Sequence, residues 1–77
     1  MDREYGEFIE GTVEEIIYSN PVNGYTVCAV SHAGNQVTVV GVMPFLMEGE
    51  KIKARGGWQN HPTFGRQFKV EVFEKEL

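Results

Sequence analysis

At 77 residues and 8.7 kDa the chain has room for one small domain and no second core. A hydrophobic fraction of 42% beside 23% charged residues excludes a disordered chain, and the single Cys28 excludes an internal disulfide. The net charge of −4 is unevenly spread: residues 1 to 50 carry eight acids against Arg3 alone, whereas residues 51 to 77 carry six bases against three acids.

The opening Met1-Asp2-Arg3-Glu4-Tyr5-Gly6-Glu7 is acidic where a secretory signal needs a basic region followed by an apolar one. From Phe8 to Tyr18 the chain alternates, with Ile9, Gly11 and Val13 on one side and Glu10, Thr12 and Glu14 on the other. After Glu14-Glu15 the phase slips, because Ile16 and Tyr18 take the parity that was polar before. A slip of this kind predicts a β-bulge that bends one long strand so that it serves two parts of a curled sheet. Asn20-Pro21-Val22-Asn23-Gly24 is a run of turn formers that reverses the chain.

Tyr25 to His32 and Gln36 to Met43 read as a second and third strand, closed into a hairpin by Ala33-Gly34-Asn35. Pro44 stops the third strand, and Pro44 to Glu50 reads as a short turn or helix with Phe45 and Leu46 available to plug the sheet. Lys51 to Gln59 has the clearest period: Ile52, Ala54, Gly56 and Trp58 alternate with Lys51, Lys53, Arg55 and Gln59. Asn60 to Gly65 is another turn cluster. In Arg66 to Phe73, Phe68, Val70 and Val72 oppose Gln67, Lys69 and Glu71, and the tail from Glu74 to Leu77 reads as a fraying end.

Five strands, a bent first strand and one irregular insert between the third and fourth predict an all-β domain, the five-stranded Greek-key barrel of the OB-fold. A small SH3-like barrel is the rival, with shorter strands and no place for the insert.

Several chemistries are missing. There is no phosphate loop ending in Gly-Lys-Ser/Thr, no Gly-x-Ser-x-Gly elbow, and Asp2 is the only aspartate. Cys28, His32 and His61 are too few soft ligands for a structural zinc site. Neither catalysis nor a bound metal or cofactor is expected of this chain. The longest mainly apolar stretch, Val39 to Met47, falls far short of the ~20 residues that cross a bilayer, so a cytoplasmic chain with a reduced Cys28 and no membrane partner is expected.

OB-folds that bind single strands use the face of the second and third strands, flanked by the first-to-second and fourth-to-fifth loops. Bases stack on aromatic rings while basic groups follow the phosphates. The candidates here are His61, Phe64 and Arg66 in the fourth-to-fifth loop, Trp58 beside it, and the stripe Lys51, Lys53 and Arg55. Each has a plainer reading: Phe64 caps the barrel end, Trp58 packs in the barrel mouth, the basic stripe guards a solvated edge, and His61 structures its loop by hydrogen bonds. Tyr25, after the Asn23-Gly24 turn, fits either sheet packing or stacking.

Four segments carry a family resemblance: Gly11-Thr12-Val13-Glu14-Glu15-Ile16-Ile17-Tyr18; Asn20 with Asn23-Gly24-Tyr25-Thr26-Val27; Val39-Val40-Gly41; and GGWQNHPTFGRQF from Gly56 to Phe68. Together they resemble the N-terminal domain of RecD-like DNA helicases, the bacterial proteins labelled as exodeoxyribonuclease V alpha subunits. The likeness covers nearly the whole chain and is most specific from Trp58 to Phe68. It implies an OB-like accessory module, residues 1 to 77 of a longer ATP-dependent helicase of DNA repair and recombination. ATP and magnesium would belong to motor domains downstream. The implied partners are single-stranded DNA, held weakly, or the motor domains of the same polypeptide, against which the module would dock.

Overall fold

A computed structural model describes residues 6–76. The acidic opening at residues 1 to 5 and the boundary at Leu77 lie outside them. Five strands form: β1 (Glu7–Ser19), β2 (Tyr25–His32), β3 (Asn35–Val42), β4 (Lys51–His61) and β5 (Gly65–Glu76). They close into a barrel in the order β1-β2-β3-β5-β4, with every seam antiparallel except β3 to β5. This is the expected OB-fold, and the insert between β3 and β4 is made of turns without a helix.

β1 is the strand that turns the sheet into a barrel. Its first half pairs with β4 from Glu7 to Thr12, and its second half pairs with β2 from Thr12 to Ser19. The expected bulge is present, since the ladder steps from Val13↔Val30 to Glu15↔Ala29 and leaves Glu14 unpaired. A second one follows between Ile16 and Tyr18. It changes the expected parity: Ile16 packs against the core, while Ile17 and Tyr18 are both more than half exposed.

The insert does not plug the barrel as a unit. Met43 is fully buried and Leu46 packs against the core, but Phe45 is 88% exposed in a left-handed conformation. Polar contacts fasten the insert to β1 instead. The Val13 amide donates to the Glu50 carbonyl, the Gly49 amide to the Val13 carbonyl, and the Ile16 amide beside the bulge to the Glu48 carboxylate. The Met47 amide and then the Lys75 ammonium hold the Glu50 carboxyl below the usual carboxylate range.

β5 departs from strict alternation as well. The ladder with β4 skips Glu71 between Arg55↔Val72 and Gly56↔Val70, so Val72 turns outward and Phe73 packs inward. The tail does not fray before Glu76, because Lys51, Lys53 and their neighbours pair with it to the end of β5.

The core gathers Ile9, Val13, Cys28, Val30, Val39, Met43, Ile52, Ala54, Phe68 and Val70. Within it, burial pushes the Cys28 thiol up to about 11 from 9.0. The folded chain therefore keeps this proton more tightly than the unfolded chain does. That stabilisation is complete below pH ~9 and is lost as the pH rises toward ~11, by about 2 to 3 kcal/mol. Urea unfolding across that window should show a steeper alkaline decline for the wild type than for Cys28→Ala, and parallel profiles would refute the role of the thiol.

Candidate nucleic-acid interface

A cleft of about 560 Å³ opens on the outer face of β2 and β3. Val27, Thr38, Val40 and Gln67 lie along its floor, with Val40 and Gln67 buried. Ile17, Tyr18 and Tyr25 stand on the side of the β1–β2 loop, and Gln59, His61 and Phe64 on the side of the β4–β5 loop. None of these residues is Asp, Glu, Lys or Arg. The cleft is thus a neutral, mainly apolar surface bearing four rings, Tyr18, Tyr25, His61 and Phe64.

Both flanking loops are held by one local device. In the β1–β2 loop the Val22 and Asn23 amides donate to Asn20 Oδ1 at 2.8 and 3.4 Å. In the β4–β5 loop the Thr63 and Phe64 amides donate to His61 Nδ1 at 3.0 and 3.2 Å. A side-chain acceptor at the end of a strand satisfies the amides two and three residues on, as in an Asx turn. His61 is therefore a loop-structuring residue whose Nδ1 accepts from two backbone amides. Its ring also lies 4.7 Å from that of Phe64 at a 36° tilt, which sets Phe64 beside the cleft with 72% of its surface open. Phe64 does not cap the barrel end.

The seven sequence candidates are not one site. His61 and Phe64 line the cleft. Trp58 and Arg66 lie next to it around a smaller hollow of about 360 Å³ that shares Thr38. Trp58 is half-buried and already engaged on three sides. Its indole N–H donates to Glu7 Oε1 at 2.7 Å, its ring meets Phe68 edge-on at 5.2 Å, and the Arg66 guanidinium stacks 4.1 Å from its centroid. These contacts fit the barrel-mouth reading of Trp58 and fix Arg66 in position.

Lys51, Lys53 and Arg55 occupy the other end of the β4–β5 hairpin. The barrel register sets Lys53 between Glu10 and Glu74, and Lys51 between Thr12 and Glu76. The Arg55 guanidinium lies 5.7 Å from the Phe8 ring. A hydrogen bond shared with Glu10 raises the Glu76 carboxyl above its ordinary range, with Lys53 and Lys51 acting in the opposite direction. Three cations here face three carboxyl groups, so the stripe is close to neutral as a surface.

Sequence reasoning did not single out Tyr18, Gln59 or Gln67. Tyr18 and Tyr25 border the same turn cluster, which is the signal that could have paired them. Gln67 carried no such signal, because alternation assigns it to the solvated side with Lys69 and Glu71.

Among the described residues no group of three or more His, Cys, Asp or Glu could hold a metal ion, and no helix is long and apolar enough to cross a membrane. The architecture has a counterpart among known families. A family model described as the OB-fold domain of ATP-dependent DNA helicase YrrC matches residues 6–77, which is nearly the whole chain. With this match and the closed five-stranded barrel of an OB-fold, the chain belongs to this family of helicase OB-fold domains.

Proposed function

We propose that this domain is a non-catalytic accessory module of an ATP-dependent DNA helicase and that it guides single-stranded DNA through the cleft between the β1–β2 and β4–β5 loops. The observation that carries this reading is the set of four rings around a neutral cleft on the face that OB-folds use for single strands. Exposed rings stack on bases of any sequence. The absence of fixed charge in the cleft, together with the overall −4, makes the contact weak and leaves phosphate attraction to neighbours such as Arg66 and Lys69.

Fluorescence anisotropy of a labelled single strand tests it, with duplex DNA as the control. The single strand should bind preferentially, with a shallow salt dependence. About two phosphate contacts give a slope near −1.4 in log affinity against log salt. Phe64→Ala should weaken binding about 5- to 100-fold, the range of one stacked base, without moving the melting temperature. Lys53→Ala, at the charge-matched end of the hairpin, should change little. Undiminished binding by Phe64→Ala would exclude the cleft.

A second reading rests on a different surface. Val22 at 92%, Phe45 at 88% and Met47 at 65% exposure place apolar side chains on the β1–β2 loop and the insert. Such side chains suit docking against the motor domains of the same polypeptide. The readings separate cleanly: Phe45→Ser acts on association with the motor, and Phe64→Ala acts on DNA.

A further inference from the structure

Gln67 is polar, 5% exposed, and lies on the floor of the cleft rather than in the barrel interior. Its neighbour Phe68 takes the interior position on β5, so Gln67 is directed to the outer face. Its Oε1 accepts a hydrogen bond from Gln59 Nε2 at 3.3 Å across the β4–β5 ladder. Its own amide nitrogen has no protein partner among the described residues. A buried amide N–H without a partner costs stability, and fold maintenance gives no reason to keep one at the bottom of an open cleft. An apolar side chain of the same length would suit that position in the barrel better.

We infer that the Gln67 amide, steered by Gln59, is a hydrogen-bond reader for the edge of an unpaired nucleobase inserted among the rings of the cleft. The inference rests on the single-strand reading above and adds a requirement to it. Stacking needs only a flat face, whereas Gln67 needs an acceptor on the base, and Gln59 Oε1 beside it can receive a base N–H. Bonded to each other, the two carboxamides leave one donor on Gln67 and one acceptor on Gln59, and the Watson–Crick edge of each DNA base offers an adjacent complementary pair. In duplex DNA that edge is occupied. The amide pair therefore favours single strands over duplex through hydrogen bonding, independently of the rings. It selects for the presence of an unpaired base and not strongly for its identity.

The test uses the 77-residue chain and three probes: a labelled oligothymidylate, an oligonucleotide of equal length made of abasic sites, and a duplex. Gln67→Met keeps the length of the side chain and removes its N–H. It should fold at least as stably as the wild type, since a costly buried donor is gone, while binding oligothymidylate about 5- to 10-fold more weakly. On the abasic strand, already weak for want of rings to stack, wild type and variant should be equal. Gln59→Met, at an exposed position where folding is not at stake, should reproduce part of the loss.

Equal binding of oligothymidylate by wild type and both variants, with Phe64→Ala still impaired, would overturn the reader and leave the stacking cleft standing. A Gln67→Met chain that is less stable than the wild type would give the residue a structural role and also overturn it. No binding of oligothymidylate by the wild type even at low salt would remove both readings together.

Discussion

Gly56→Ala should lower the stability of the chain by more than about 3 kcal/mol, whereas Gly57→Ala, one residue away, should be nearly silent. Gly56 lies where β4 is squeezed between β1 and β5, opposite Glu7 on one side and Val70 on the other. A Cβ built there would stand 1.9 Å from the Lys69 carbonyl oxygen, 2.9 Å from its carbon and 3.1 Å from the Glu71 nitrogen. All three are backbone atoms, so no side-chain rotation can relieve the overlap. The skipped residue Glu71 brings the β5 backbone in at this point, and only separation of β4 from β5 makes room for a methyl group. Overpacking of ordinary cores costs about 1 to 3 kcal/mol, and a backbone obstacle places this substitution above that range. At Gly57 a Cβ meets nothing within 4 Å and no positive φ is required. Urea unfolding of the two variants beside wild type checks the contrast; equal midpoints would contradict the close approach of β4 and β5.

The second large effect is expected at Phe68. It heads the fully buried side chains by volume, supports Trp58 through an edge contact, and sits in the parallel pairing with Val39 that closes the barrel. Phe68→Ala removes a ring from a barrel whose strands cannot collapse inward without breaking their ladders. A loss of about 3 to 5 kcal/mol is expected. A domain of this length has a total stability of roughly 4 to 12 kcal/mol, so the melting temperature should fall by about 15 to 30 °C or the transition should vanish. Phe68→Leu, which refills most of the volume, should cost about 1 to 2 kcal/mol. Differential scanning calorimetry of both variants decides it, and a drop of only a few degrees for alanine would show that the cavity collapses.

Where the sequence could be read and where it could not follow from the same physics. Alternation reports which face of a strand is buried so long as the ladder is unbroken. It exposed the bulge at Glu14 because Ile16 changed parity visibly, and the five strands and the barrel class followed from the turn clusters and the bent β1. It failed at Ile17 and Glu71, where the residues on either side of the skip are all apolar or mixed. Val-Glu-Val-Phe reads equally well with Val72 or Phe73 inside. At the candidate site, the turn chemistry around His61 and Phe64 gave those two residues away. The basic stripe was legible as one face of β4, but its neutralisation was not, because Glu10, Glu74 and Glu76 reach it only through register with two other strands. Gln67 was hidden for a related reason. A cleft is formed by several strands together, and the burial of a polar residue beneath it leaves no periodic trace in any one of them.

The parallel seam between β3 and β5 has a wider consequence. Four seams of the barrel are long antiparallel ladders, but this one rests on Val39↔Phe68 and Val40↔Lys69 alone. With the fewest pairings to break, it is the cheapest place for the folded barrel to breathe. The floor of the cleft straddles it, with Thr38 and Val40 on one bank and Gln67 on the other. A molecule seated there would act as a strap across the joint, and by linkage its affinity would be returned to the barrel as resistance to opening. Occupancy of the cleft and integrity of the domain are in this way one equilibrium, and on the single-strand reading proposed above a bound strand would be held by a barrel that its own presence keeps shut.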